Sequence, residues 1–204
     1  MHICCIFVQN ILFIMKRIAV FASGSGTNAE KIAEYFKGDK DIEVALIVSN
    51  KADAYVHERA KKLNIPSFTF AKTEFDEATP VINLLKQHQV DVVVLAGFLL
   101  KISQPLIDAF PNKIINIHPA LLPKFGGKGM YGSRVHESVI AAGEIESGIT
   151  VHYINEHYDE GAVIFQTKCK VMPEDTAEDL AQRIHALEHE HFPRIIEEIC
   201  KKQQ

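Results

Sequence analysis

The chain has 204 residues, 47% of them hydrophobic and 24% charged, with a formal net charge of -4. That length and balance suit one globular domain with an ample core, and the charge excludes the global basic field that gathers nucleic acid or anionic membrane. Four cysteines, at 4, 5, 169 and 200, form no Cys-x-x-Cys pair, so reduced thiols in a cytoplasmic protein are the simplest account.

Residues 1–14 are strongly apolar. They are too few for a membrane span and lack the basic start and small-residue cleavage site of a signal peptide. Met15-Lys16-Arg17 then opens a well-formed strand. The first fourteen residues therefore read as an apolar extension upstream of a natural start at Met15, with an added amphiphilic arm as the alternative. Residues 15–204 read as one domain, without repeat, low-complexity tract or linker.

From residue 17 the pattern alternates strand and helix: strand 17–21, helix 28–36, strand 42–48, helix 55–63, short strand 66–70. A helix follows at 76–88, with Pro80 in its first turn, where proline is tolerated. The run Val92-Val93-Val94-Leu95 marks a central buried strand at 91–96. A short helix at 103–110 precedes the apolar run Lys113-Ile114-Ile115-Asn116-Ile117, a buried parallel strand. A helix at 134–142, two antiparallel strands at 148–154 and 162–170, and a long amphipathic helix at 176–201 complete the chain. This is a doubly wound, mostly parallel α/β sheet with a strand pair and long helix at its C-terminal end.

Between strand one and helix one lies Ala22-Ser23-Gly24-Ser25-Gly26-Thr27-Asn28-Ala29. Glycines let backbone amides close on an anion, and the helix N-terminus adds the positive end of its dipole. The spacing also satisfies the relaxed dinucleotide pattern Gly-x-Gly-x-x-Ala. The second strand, however, ends Ser49-Asn50-Lys51, with no acid for a ribose hydroxyl. A phosphate monoester is favoured here, and an NADP-type site using Lys51 stays open.

In Asn116-Ile117-His118-Pro119 the strand period puts an amide and an imidazole on one face, and proline stiffens the exit. A proton carrier beside an oxyanion donor is the minimum equipment for acyl transfer. After Pro123, four glycines between 126 and 132 mark a lid or a plain surface loop. Asp159, on the turn before the last strand, is a candidate to orient His118, although on the residues alone an ordinary hairpin acid is the simpler account. His152 and His157 flank it as lone histidines of the structural kind. His185-Ala186-Leu187-Glu188-His189 matches an inverted zincin motif, but no separate segment follows to supply a third ligand, so it reads as a polar helix face.

Together these pieces resemble the phosphoribosylglycinamide formyltransferases of the formyltransferase superfamily. The likeness runs from Met15 to about residue 200. It rests on Ser23-Gly24-Ser25-Gly26-Thr27-Asn28, Ser49-Asn50-Lys51-Ala52-Asp53-Ala54, Val94-Leu95-Ala96-Gly97-Phe98, the 116–123 block and Asp159-Glu160-Gly161. The resemblance implies formyl transfer from 10-formyltetrahydrofolate, a co-substrate, to the amine of glycinamide ribonucleotide in purine biosynthesis, without a metal. It implies Asn116, His118 and Asp159 as the catalytic trio. Gly26, Thr27, Asn28 and Glu188 would contact glycinamide ribonucleotide. Leu99, Leu100, Lys101, Ile102, Asn116, Asn155, Glu156, His157, Tyr158 and Asp159 would line the folate site. Leu99-Leu100 stands where the family commonly has Met-Arg, and the loop at 125–133 is longer than in many relatives and lacks their Pro-Gly. Small-molecule substrates, no nucleic acid or membrane, and a monomer or homodimer are expected. Formyltetrahydrofolate hydrolase and methionyl-tRNA formyltransferase would need additional N- or C-terminal domains. A non-catalytic NADP-binding module is the alternative of another class.

Overall fold

Alternation along the first strand sets up the layers. In β1 (Lys16–Phe21) Ile18 and Val20 point to one face and Ala19 and Phe21 to the other, and all four are fully buried, as expected of a central parallel strand. The computed structural model describes residues 15–202; the reading of 1–14 lies outside the described residues. Its sheet has the order β3-β2-β1-β4-β5-β6-β7. The strands are β2 (Ile42–Ser49), β3 (Ser67–Thr69), β4 (Val92–Leu95), β5 (Ile114–His118), β6 (Glu146–Tyr153) and β7 (Val163–Lys170). The first five pair in parallel, and β6 runs antiparallel to both β5 and β7.

Helices cover both faces. The Ile18/Val20 side packs against α1 (Thr27–Tyr35), α2 (Val56–Leu63), α6 (Ser133–Ala141) and α7 (Ala177–Lys202). The Ala19/Phe21 side packs against α3 (Lys72–Glu77), α4 (Thr79–Gln87) and α5 (Gln104–Ala109). Helix α7 buries Leu180, Ile184, Glu188, Phe192, Ile195, Ile196 and Ile199, a stripe at three- and four-residue spacing, the signature of one face on a core. Glu188 is the polar member of that stripe. No helix among the described residues is long and apolar enough to cross a membrane.

The doubly wound sheet expected from the sequence is present, with most element ends within two residues of expectation. The helix expected at 76–88 differs: it is two helices, broken at Ala78, which adopts a left-handed backbone with φ 62°. Pro80 does sit in the first turn of α4, but Asp76 and Glu77 belong to α3, whose start Glu74 caps by accepting from the Ala71 N–H at 2.7 Å. A local carboxylate–amide contact and one unfavourable φ carry no periodic signature.

The glycine loop is held from both sides. Gly26 has φ 73° and precedes α1. A Cβ placed there would lie 2.4 Å from Val56 Cγ2, and the Val56 N–H donates to Gly24 O at 3.1 Å. Gly26 is thus required by the fold itself, through a positive φ and a close approach to α2. Gly26→Ala is expected to lower the unfolding free energy of the ligand-free protein by about 1–3 kcal/mol, the usual cost of overpacking. Urea unfolding without ligand checks this, and an unchanged midpoint would place the requirement for glycine in ligand contact alone.

Candidate active site

Loops leaving the carboxyl ends of β1, β4 and β5 converge, as ligand sites do in open α/β sheets. They are stitched together first. The Ser23 N–H donates to Gly97 O at 3.0 Å, Ser23 Oγ donates to Asn50 Oδ1 at 2.6 Å and accepts from the Leu99 N–H at 2.9 Å. One buried serine therefore ties the ends of β1, β2 and β4, which explains why Ser23 and Asn50 accompany the glycines. Above these ends opens a cavity of about 730 Å³, ample for small substrates.

Asn116 and His118 both line this cavity. The antiparallel register sets His152 of β6 directly opposite Asn116. His152 is fully buried, and its Nδ1–H donates to Tyr153 O at 2.9 Å. Its Nε2 is thereby left as an acceptor, so the group facing it at 3.1 Å is the Asn116 Nδ2. An amide nitrogen carries two N–H donors: one is held by His152 and the second is left for the cavity. His152 was set aside in the sequence as a lone structural histidine. Its signal was the strand register, which no spacing motif contains.

His118 is buried, and its Nε2–H donates to Phe125 O at 2.8 Å. Its Nδ1 lies 3.7 Å from Asp159 Oδ2, and Asp159 Oδ1 lies 3.6 Å from His152 Nε2. The loop after β6 thus turns back over β5 and brings the third member of the expected trio beside the other two. Asp159 Oδ2 also accepts from the Gly127 N–H at 2.9 Å, so the glycine-rich segment touches both His118 and Asp159.

At the β1 end, Gly26, Thr27 and Asn28 line the cavity together with Glu188. Asn28 Nδ2 donates to Glu188 Oε2 at 2.8 Å. Burial pushes the Glu188 carboxyl up, against the pull of Asn28 and His185. Leu99, Leu100, Lys101 and Ile102 face Asn155, His157 and Tyr158 across the same cavity, and Lys101 Nζ sits 5.2 Å from the Tyr158 ring centre, a cation–π contact joining the two walls. Glu156 alone of the expected folate-loop residues is outside the lining; it is exposed beside His157 Nε2 at 3.7 Å. The His185 and His189 rings stack with centres 6.4 Å apart, and the Glu188 carboxylate of the same motif accepts from Asn28. Among the described residues no group of three or more His, Cys, Asp or Glu is placed to hold a metal ion.

The chain is similar to known proteins in sequence and fold. The formyl transferase family profile matches residues 16–196. A phosphoribosylglycinamide formyltransferase of Bacillus subtilis is 41% identical over 192 residues, covering 91% of this chain and 95% of that one. The chain belongs to the phosphoribosylglycinamide formyltransferase family. The chloroplastic family member of Arabidopsis thaliana is 40% identical over 92% of this chain. The chain spans 66% of that plant protein's length and 62% of its Vigna unguiculata counterpart. The crystal structure of glycinamide ribonucleotide transformylase 1 from Geobacillus kaustophilus superposes with a TM-score of 0.84 at 40% identity, covering 92% of this chain and all of that one.

Three histidines of this chain are held below the ordinary imidazole value, each chiefly by burial: His136, His152 and His189. The unfolded chain has ordinary histidines, near pH 6.5. At these three positions the unfolded state binds more protons than the folded one as pH falls through about 6.5, so the stability they contribute is full above that range and declines through it, with the raised Glu188 carboxyl working against the decline. Urea midpoints at pH 7.5, 6.5 and 5.5 are expected to be level across the first interval and to drop across the second. A flat profile would show that these rings are not buried neutral.

Proposed function

We propose that this chain transfers a formyl group from 10-formyltetrahydrofolate to the amine of glycinamide ribonucleotide, the step of purine biosynthesis after which its relatives are named. The observation that carries the proposal is the convergence of Asn116, His118 and Asp159 at one cavity, between a glycine loop before a helix and an apolar wall. Family membership favours this over an NADP-binding module. In this reading the glycine loop, Asn28 and Glu188 hold the phosphate and ribose end, and residues 99–102 with 155–159 hold the folate.

Formyl transfer places negative charge on the formyl oxygen as the amine adds. The second N–H of Asn116 is oriented for that oxygen, because His152 holds the first. A protonated His118 supplies two donors. The Phe125 carbonyl takes Nε2–H, while Nδ1–H, at 3.7 Å from Asp159, is too far for a hydrogen bond to the carboxylate and is available to the substrate oxygen. Asp159 keeps that imidazolium within its field and orients it, as a carboxylate partner does in acid–base pairs. As the tetrahedral adduct collapses, the bond from the formyl carbon to the folate nitrogen breaks, and the proton lost by the attacking amine is relayed through His118 and Asp159 to that nitrogen, which departs as tetrahydrofolate.

Incubating the protein with glycinamide ribonucleotide and 10-formyltetrahydrofolate is expected to yield tetrahydrofolate and the formylated amide; no product from folded protein would overturn the assignment. His118→Ala is expected to cut kcat by about 10²–10⁴, the range for a positioned acid–base group, and Asn116→Ala by about 10²–10³, as for loss of one oxyanion donor. Circular dichroism checks the fold of each, and a folded His118→Ala enzyme within twofold of wild type contradicts the role.

Asp159→Asn keeps the shape and removes the charge. Steady-state kinetics should show a large fall in kcat with the KM for glycinamide ribonucleotide nearly unchanged, since that substrate's phosphate lies at the β1 loop. A normal kcat would reduce Asp159 to an anchor for the Gly127 amide.

A further inference from the structure

Beside the glycine loop lies a cluster of histidines that the formyl-transfer mechanism does not use. His136 of α6 is 4% exposed and lines the cavity, and its Nδ1 has no hydrogen-bond partner. A buried polar atom without a partner costs about 1–3 kcal/mol, so an orphan on a side chain that lines a ligand cavity points to a group that arrives with the ligand. His185 of α7 stands on the same cavity wall, its ring centre 6.5 Å from that of His136. His189, one turn on, stacks on His185 at 6.4 Å, and its buried Nε2 also lacks a partner.

We propose that His136 and His185 form a proton-coupled anion site, which takes up a proton when a phosphate monoester docks against the glycine loop. The proposal rests on the reading of the β1 end as the phosphate end of the substrate, and deepens it: substrate affinity becomes dependent on pH through groups that take no part in the transfer itself.

The electrostatics favour it. Without ligand, burial and the nearness of His185 hold the His136 imidazole below its ordinary value, with His118 opposing protonation from β5. Glu178 on α7 and Glu137 on α6 pull weakly the other way. Behind them, His189 is held down by burial and by His185, Lys31 and Arg59, with Glu30 opposing. The buried Glu188 faces His185 from the same helix and lies hydrogen-bonded to Asn28. The free site therefore disfavours a charge on His136 and on His189. A phosphate monoester is already a dianion above its second pKa of about 6. Two negative charges beside the pair favour the protonated imidazole, whose Nδ1–H would then have the acceptor that the free protein lacks. By linkage the affinity rises as pH falls, until the His136 imidazole takes up its proton in the free protein as well.

Calorimetric titration with ribose 5-phosphate tests this without the complication of the substrate's amine. It is run at pH 7.5 in phosphate-free buffers of differing ionisation enthalpy. The wild-type protein is expected to show a net uptake approaching one proton, and an affinity that weakens several-fold from pH 6.5 to pH 8. His185→Gln, an exposed position, and His136→Asn are each expected to bind more weakly and to lose most of the uptake. Uptake retained in both variants would move the proton to Glu188 and overturn the proposal. Buffer-independent heat, or no ribose 5-phosphate binding, in a protein that formylates glycinamide ribonucleotide would overturn it while leaving the proposed function intact. Failure to formylate glycinamide ribonucleotide would count against the function instead, and proton-coupled binding of ribose 5-phosphate would still support the anion site.

Discussion

The hydrogen bond between Asn116 and His152 depends on the antiparallel pairing of β5 with β6, where the sheet first departs from its parallel run, and the rest of the site is arranged around it. An antiparallel pair sets residues directly opposite one another with side chains close, and the β5–β6 register makes Asn116 and His152 such a pair. Burial keeps His152 neutral, and the Tyr153 carbonyl claims its one N–H. The remaining ring nitrogen can only accept. It therefore fixes which end of the Asn116 amide faces inward and leaves one N–H aimed at the cavity. A parallel neighbour for β5 would not supply a directly opposed side chain in this way.

The glycine-rich segment is joined to the same centre by its backbone. Phe125 O accepts from His118 and the Gly127 N–H donates to Asp159. Moving this segment away would leave a buried imidazole N–H without a partner, at about 1–3 kcal/mol, so its position and the orientation of His118 are energetically linked. Tight packing reinforces the link: a Cβ on Gly126 would lie 2.5 Å from Leu122 Cδ2 and 3.2 Å from Asp159 Cβ. This glycine is needed for close approach, whereas Gly127 and Gly129, with nothing near, serve their positive φ.

The frame was legible because it is periodic. The Val92–Leu95 run, the alternation in β1 and the stripe of α7 all repeat at the spacing of their element, and period is what a chain displays openly. Asn116 and His118 were legible for the same reason, two residues apart on one strand. Asp159 was an unremarkable hairpin acid on its own residues and drew attention through the family resemblance; nothing local reveals that its loop turns back over β5. His152 was passed over because its meaning lies in a cross-strand register, and His136 because its partner His185 is contributed by a different helix. The break at Ala78 was hidden because it rests on a single backbone dihedral and one capping carboxylate. Apart from that local break, what escaped the sequence is pairwise and long-range.

Asp159 stands within ion-pair reach of two imidazoles, at 3.7 Å from His118 Nδ1 and 3.6 Å from His152 Nε2. A carboxylate shared equally between two titrating rings would direct a proton to neither in particular. The symmetry is broken by surroundings rather than by distance. For His152 the cost of burying a charge outweighs the attraction of Asp159, and protonating its Nε2 would also remove the acceptor that orients Asn116. His118 has no such orienting contact at its second nitrogen: its Nε2–H is on Phe125 O and its Nδ1 faces the carboxylate. The field of Asp159 is thereby directed to the one ring that opens on the cavity without an orienting duty to lose. Two histidines on adjacent strands thus stand in opposite surroundings: one holds an amide still as a neutral acceptor, and the other keeps a ring nitrogen beside the carboxylate in the role proposed for it.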